Sequence, residues 1–572
     1  MRPRSCARPA CFGSLAGGPG RGRRDGRSAR APRGGAARDR WDASRSGAAM
    51  RVAFAYVGAE VLGIELLSAI LKQQGHEVRL FFDPSLFDDR AIFSVPLLHR
   101  LLDVREHTLR ELVAFAPDLV AFSVLTNTAR WSLEMAAAVK ERLGVPVVFG
   151  GVHPTVVPEA VIRDPAVDVV NLGEGFESLP ELVGKLERGE SVADVANLWV
   201  KRDGVVIRNP VRPALHDLDS LPHPDKSLFA EYFDVGELYL TITGLGCPYR
   251  CTFCSSDVYL DMYRDRGPYL RRRSVARVID ELQTARKRHR LRLVKFADDI
   301  FTLNRRWLEE FAREYPRRVG LPYVALSHPR HITERSAQLL RESGCHKLEI
   351  GIQSVNEETK RTVLDRHESK EEMARAFSLL EKHGIRYMVN HMFGIPGEGL
   401  EQQQEAARFY ADFRPARIGG YYLKYLPGTR INAIAVERGI LTPADVERFK
   451  QGYFATVHSH EHLDPELRRV CTSFETFNLL MALLPRWLNR RLARSPWVLH
   501  LHRLPQAFRT VVDVLGSVVH RDRETFAFVR YYLGYVARVA RFKARLGRLP
   551  GGRLDRSGRP PERRDAAAEP GR

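Results

Sequence analysis

Residues Gly244–Ser256 read GLGCPYRCTFCSS and carry three of the chain's seven cysteines, Cys247, Cys251 and Cys254, within eight residues. The other four, Cys6, Cys11, Cys345 and Cys471, are scattered. The spacing is C-x3-C-x2-C. A structural zinc site takes four protein ligands, usually as two pairs on separate turns. No further Cys or His follows Cys254 within thirty residues, and the first, His289, sits in a basic helical run. Iron–sulfur clusters are held by Cys thiolates, ordinarily four. Three thiolates on one tight loop would leave one iron of a [4Fe–4S] cluster open to a small chelating ligand. Gly246 and Pro248 suit a loop that wraps closely and does not continue as helix. A zinc knuckle and chance clustering are the lesser alternatives.

Working outward, the chain of 572 residues is too long for one ordinary core. Its 44% apolar and 28% charged residues are those of a globular protein. Seven cysteines with three in one cluster make no disulfide framework, which favours a reducing, cytoplasmic setting. The net charge of +20 is uneven: residues 1–49 hold +9 and residues 541–572 hold +6, leaving +5 for the body. A nucleic-acid role for the body loses most of its support. The Arg- and Gly-rich residues 1–49 are expected to be a disordered arm or sequence upstream of the true start, and residues 541–572 a disordered tail. No apolar run reaches the length that spans a bilayer; Phe474–Leu488 is short and broken by Pro485.

Residues 50–200 alternate short apolar runs (RVAFAYVG, HEVRLFFD, LVAFSVLT, VPVVFGG, VDVVNLGEG) with helical patterns such as EVLGIELLSAILKQQG. That alternation predicts a doubly wound, flavodoxin-like parallel sheet, which binds ligands at the carboxyl ends of its strands. The candidate binding residues there are Ser123, Thr126, Gly150, Gly151, His153, Gly173, Glu174 and Gly175. Residues 201–235, rich in proline, read as a linker. From residue 236 to 430, six further strand–helix units predict a partial β/α barrel, with the cysteine loop just after its first strand, on the face where barrels do chemistry. Residues 431–540 read as a helical domain with aromatic and basic residues interleaved, a pattern of helical caps and of lipid-facing surfaces. The run VHSHEH (Val457–His462) reads as a solvated loop rather than a metal site.

The run CPYRCTFC, opening a β/α barrel, resembles the radical S-adenosylmethionine superfamily. The resemblance implies a [4Fe–4S] cluster on Cys247, Cys251 and Cys254 whose open iron chelates S-adenosylmethionine, and an external electron donor such as flavodoxin or ferredoxin. Further segments are similar to the superfamily's later strands: KFADDIFT (Lys295–Thr302), KLEIGIQSVNEETKRTVLDRHES (Lys347–Ser369) and MFGIPGE (Met392–Glu398). They imply S-adenosylmethionine contacts at Phe253, Asp298, Glu349, Gln353, Ser354, Gly394, Pro396 and Gly397. The front segment, with GGVHPTVVPEAV and VVNLGEGFESLPELV, resembles the cobalamin-binding subgroup, which implies cobalamin on the strand-end residues named above. The D-x-H-x-x-G motif of some cobalamin proteins is absent from residues 50–200, and GEGF stands where GEGE is common.

The resemblance implies an enzyme, in first place a methyltransferase acting at an unactivated carbon or phosphorus through a 5′-deoxyadenosyl radical and methylcobalamin. An anaerobic oxidative cyclase or ring-rearranging enzyme of tetrapyrrole type is the alternative, and a non-catalytic corrinoid-binding or sensory protein a third. Methylthio transfer to tRNA would need a second cluster, and no cysteine lies between Cys11 and Cys247. The expected substrate is a small molecule, apolar if the greasy helices after residue 470 bear on it.

Overall fold

In the computed structural model, residues 49–87, 95–452 and 463–546 are described. The N-terminal arm through residue 48, the VHSHEH run and the C-terminal tail from residue 547 lie outside them; the last helix runs to Leu546, six residues into the stretch expected as tail.

The front of the chain builds one seven-stranded sheet: β1 (Arg51–Val57), β2 (Glu77–Asp83), β3 (Leu119–Ser123), β4 (Val147–Gly150), β5 (Val169–Asn171), β6 (Leu198–Arg202) and β7 (Val205–Arg208). Its order is β2-β1-β3-β4-β5-β6-β7. The first five strands are parallel, with Val52 beside both Val78 and Leu119. β1 is buried on both faces, which is why it reads as an unbroken apolar run. The connection reverses direction between β1 and β3, and that switch point opens a crevice at the strand C-termini.

β6 and β7 correct the expected linker. They form an antiparallel hairpin that extends the sheet, so its first residues belong to the front domain. Asp203 and Gly204 between them both have positive φ (51° and 77°), the backbone of a two-residue hairpin turn. Asp-Gly was the signal for it.

The second sheet begins at β8 (Tyr239–Thr241), followed by a short antiparallel pair, β9 (Gly244–Leu245) and β10 (Arg271–Arg272). It continues through β11 (Val294–Phe296), β12 (Tyr323–Ser327), β13 (Cys345–Gln353), β14 (Arg386–Phe393) and β15 (Arg417–Tyr422). Six parallel strands stand in sequential order, an open barrel with each crossover made by helix. Alternate residues of β13 divide between two environments. Leu348, Ile350 and Ile352 enter the main core with Phe296, Phe311 and Tyr323, while Lys347 and Glu349 point inward. The barrel interior is closed toward its strand N-termini by charge. Lys347 pairs with Asp522 (2.8 Å) and Glu524 (2.7 Å), and Lys295 pairs with Glu524 (2.5 Å). Those acids begin the last helix, Arg523–Leu546, so the C-terminal helical region stoppers the barrel and leaves its other face for ligands. No described helix is long and apolar enough to cross a membrane.

Candidate active site

A cavity of about 490 Å³ lies between the C-terminal edges of the two sheets. Its front wall is made by Ser123, Gly150, Gly151, Gly173, Glu174 and Gly175, six of the eight residues expected there. The glycines are present for space. Gly151 sits at φ +99°, and a Cβ on it would fall 2.9 Å from the Val124 backbone nitrogen. Gly173 sits at φ +64°, where a Cβ would run into the Tyr263 hydroxyl. A wall of backbone and glycine is what a flat macrocycle can approach closely. Phe176, in the place of the commoner acid, lines the same wall.

Thr126 and His153 are not on that wall. The His153 ring is buried and its Nδ1 stands 3.3 Å from the Thr126 hydroxyl. Burial pushes its pKa down to about 4, so the imidazole is neutral. It faces a separate hollow beside Phe149 and Lys450. Glu174 lines the cavity, but its carboxylate is taken by others. It pairs with Arg271 (Nη1 to Oε2, 2.9 Å) and accepts from the Leu215 backbone N–H (3.1 Å). The Glu174 N–H donates to the Tyr263 hydroxyl at 2.9 Å. Glu174 thus fastens the front sheet to β10 beside the cysteine loop.

The rear wall comes from the barrel: Ile242, Gly244, Leu245 and Gly246 leading into the loop, then Tyr259, Tyr269, Arg271, Ala297 and Asp299. Tyr259, Tyr263 and Tyr269 form a stacked group with ring centroids 5.9–6.5 Å apart. Sequence reasoning missed this group; three tyrosines within eleven residues after the cysteines were the available signal.

The cysteine loop is held from several sides. At Gly246 (φ +94°) a Cβ would meet the Tyr269 carbonyl at 2.6 Å, so only glycine makes this turn. The Thr252 N–H donates to the Leu364 carbonyl (3.1 Å) and its hydroxyl to the Val363 carbonyl (2.6 Å), while the Ile431 N–H donates back to Thr252 (2.9 Å). Tyr249 stacks on His328 at 4.2 Å, and its hydroxyl meets His331 at 3.0 Å. Asp298 is buried. It accepts from the Thr243 N–H (3.0 Å) and hydroxyl (2.5 Å), pinning the strand exit from which the loop departs. Its neighbour Asp299 is the carboxylate that faces the cavity.

The three thiols are free, with none in a disulfide. Burial pushes Cys247 up to about 12 and also raises Cys251. Buried thiols at this depth bind metal as thiolates only when the metal supplies the positive charge. Two N–H donors already point at sulfur: Ser256 N to Cys254 (3.5 Å) and Arg366 Nη1 to Cys251 (3.8 Å). Arg366 is itself fixed by Glu368 (2.8 Å) and the Gly351 carbonyl (2.7 Å). Among the described residues no group of three or more His, Cys, Asp or Glu is arranged to chelate a single metal ion. Soft sulfur donors, reduced and backed by N–H groups, fit an iron–sulfur cluster.

The remaining expected residues divide. Gln353 ends β13 at φ +68°, beyond a break in register with β14, a strained backbone held at the cavity-side end of the barrel. Ser354 donates to Glu398, which also accepts from Gln403 (3.1 Å). Burial, opposed by those donors, lifts the Glu398 carboxyl to about 7. Gly394 and Gly397 both have positive φ, and the Pro396 carbonyl accepts from Arg438 at 2.7 Å. Phe253 packs into the small apolar group of Met392, Ile395 and Leu423, joining the cysteine loop to this turn. Glu349 departs from expectation. It sits four residues before Gln353, roughly 13 Å along the strand, and its carboxylate lies 3.4 Å from Lys295 in the cluster that closes the barrel base.

Comparison with known proteins agrees with this architecture. The B12 binding domain family matches residues 51–183 and the Radical SAM superfamily matches residues 241–410. An uncharacterized methyltransferase of Pyrococcus horikoshii is 28% identical over 391 residues, 66% of this chain and 79% of that protein. An anaerobic magnesium-protoporphyrin IX monomethyl ester cyclase of Rubrivivax gelatinosus is 26% identical over 55% of this chain and 58% of its own. The structure of the methyltransferase TsrM from Kitasatospora setae, with cobalamin and a [4Fe–4S] cluster bound, superposes with a TM-score of 0.57. It is 19% identical and covers 79% of this chain and 99% of its own, a likeness of fold.

Proposed function

Because this chain belongs to the radical S-adenosylmethionine superfamily, in its cobalamin-binding subgroup, we propose that it methylates an unactivated carbon or phosphorus of a small molecule held in the cavity between its two sheets. The observation that carries this reading is that one cavity reaches both the glycine edge of the front sheet and the turn leading into the cysteine loop. When bound, the cluster with S-adenosylmethionine supplies a hydrogen-abstracting radical and cobalamin supplies a transferable methyl group.

The chain's own residues do the placing. Cys247, Cys251 and Cys254 would hold the cluster, with Arg366 and Ser256 donating to its sulfurs. Gln353 and the Gly394–Gly397 turn would border S-adenosylmethionine, with Ser354, tied to Glu398, steadying the turn from behind. Ser123, Gly150, Gly151, Gly173 and Gly175 would accept the corrin face. Tyr259, Tyr269 and Phe176 make a ring-rich lining that excludes water. Residues 209–235 beyond the hairpin, the barrel to residue 430 and the helices to residue 546 act as tether, reaction chamber and stopper.

The test is anaerobic. The purified chain is loaded with iron, sulfide and corrinoid, then given reductant, candidate substrates and S-adenosylmethionine carrying a trideuterated methyl group. The reading expects 5′-deoxyadenosine and a methylated product three mass units heavier than the one formed from unlabelled S-adenosylmethionine. Loaded enzyme that releases no 5′-deoxyadenosine contradicts the radical step. An oxidised, ring-closed product without label would favour cyclisation, the activity named for the Rubrivivax relative.

A further inference from the structure

The helix Gln506–Val519 is built inside out. Its polar and small residues face the protein: Arg509 pairs with Glu475 (2.8 Å), Asp513 with Arg417 (2.7 Å), and Gly516 lies against Ala482. Val511, Val514, Leu515, Val518 and Val519 face outward, spaced three and four apart along one stripe. Their exposure runs from 48% at Val514 to 62% at Val519, on side chains that ordinarily lie in cores. Trp487 and Trp497, in the segments just before, are 66% and 53% exposed.

Charge around this stripe is one-sided. Residues 486–541 contain eleven arginines and three acids. The acids are all turned inward: Asp513 to Arg417, Asp522 to Lys347, and Glu524 to Lys347 and Lys295. Arg503 before the helix, Arg521 and Arg523 after it, Arg491 on the short helix Arg486–Leu492 and Arg494 in the turn behind that helix are exposed. None of these five makes an ion pair among the described residues. An apolar stripe flanked by uncompensated arginines and exposed tryptophans is complementary to an anionic lipid headgroup layer over acyl chains.

We propose that this face docks the enzyme on an anionic bilayer surface, with the Val511–Val519 stripe inserted at the headgroup boundary and the arginines on lipid phosphates. A protein partner would be met by acids on one side and apolar groups on the other; a bilayer offers both everywhere. The inference stands independently of the proposed reaction, since it rests on the outer helices and not on the cavity.

The test is flotation of the full-length, cofactor-loaded protein with vesicles of phosphatidylcholine alone and of an equimolar mixture with phosphatidylglycerol. Binding is expected to the anionic vesicles, weakened by salt, and much less to the neutral ones. The double variant Val514→Asp, Val518→Asp is expected to abolish it. Each charge removal in Arg521→Gln and Arg523→Gln is expected to weaken it about fivefold. The variants alter exposed positions, and unchanged iron and corrinoid content verifies that each has folded. No binding of the parent protein to anionic vesicles, or binding that the double variant leaves intact, overturns the proposal. So does a parent dimer in solution that the double variant dissociates, which would assign the stripe to a second copy of this chain.

Discussion

Where the front sheet meets the cavity it offers glycine, a serine and backbone; where the barrel meets it, it offers tyrosines, an arginine, a carboxylate and the turn that leads into the cysteine loop. The first wall has almost nothing that titrates or reacts, and its one acid, Glu174, is committed to Arg271. The second concentrates the groups that ligate and polarise. Both walls use the C-terminal edges of parallel strands, but one is shaped to receive a large flat ligand and the other to do chemistry on a loop. The difference teaches that the two halves should fail separately, and mutations can be chosen to show it.

The largest effect is expected from Cys247→Ala. Iron content should collapse and 5′-deoxyadenosine release fall to background, while corrinoid binding to the front wall persists. Simultaneous loss of corrinoid would break the comparison. The converse variant is Gly151→Val. Its backbone at φ +99° carries strain of about 1–3 kcal/mol for a residue with a side chain, and a Cβ would press on the Val124 backbone 2.9 Å away, distorting the strand ends that form the glycine wall. Corrinoid should be lost with iron and sulfide retained, as read by absorbance and metal analysis.

Next comes the joint between the walls. Arg271 is 3% exposed and paired with Glu174, so Arg271→Ala strands a carboxylate and should cost about 3–5 kcal/mol. A lowered thermal midpoint with both cofactors weakened together would show that this pair couples the two halves.

A smaller effect tests the barrel turn. The Glu398 carboxyl is lifted from about 4.5 to about 7, chiefly by burial. The folded protein therefore keeps a proton that the unfolded chain releases. This contribution is complete below about pH 4.5 and is lost as pH rises through 7, up to about 3 kcal/mol. Glu398→Gln should flatten that part of the stability–pH curve, measured by denaturant unfolding. The smallest effect belongs to His153→Gln. Its ring faces away from the glycine wall, so corrinoid affinity should change less than about threefold. A larger change would return His153 to the site.

Much of this architecture was legible because it is local. Four of the five parallel front strands are short apolar runs and β2 becomes one after Arg79, and three thiols within eight residues are visible without a fold. What stayed hidden depends on direction. Glu349 and Gln353 share a strand face, so their parity looks alike, yet one meets Lys295 at the base and the other stands at the rim. His153 follows two cavity glycines in sequence but turns under the sheet edge toward Thr126. The helix Gln506–Val519 shows ordinary amphipathic spacing, and only its packing reveals that the polar side faces in. Tyr259 and Tyr263 stand one helical turn apart, a pairing their spacing shows, but the turn that brings Tyr269 onto them follows from no spacing rule.

The central claim is that both cofactors open on one cavity. The most direct measurement is electron paramagnetic resonance of the enzyme loaded with cob(II)alamin and the reduced cluster. One shared cavity predicts a dipolar interaction that broadens both signals and disappears in Cys247→Ala. Two unperturbed signals from fully loaded protein would contradict it.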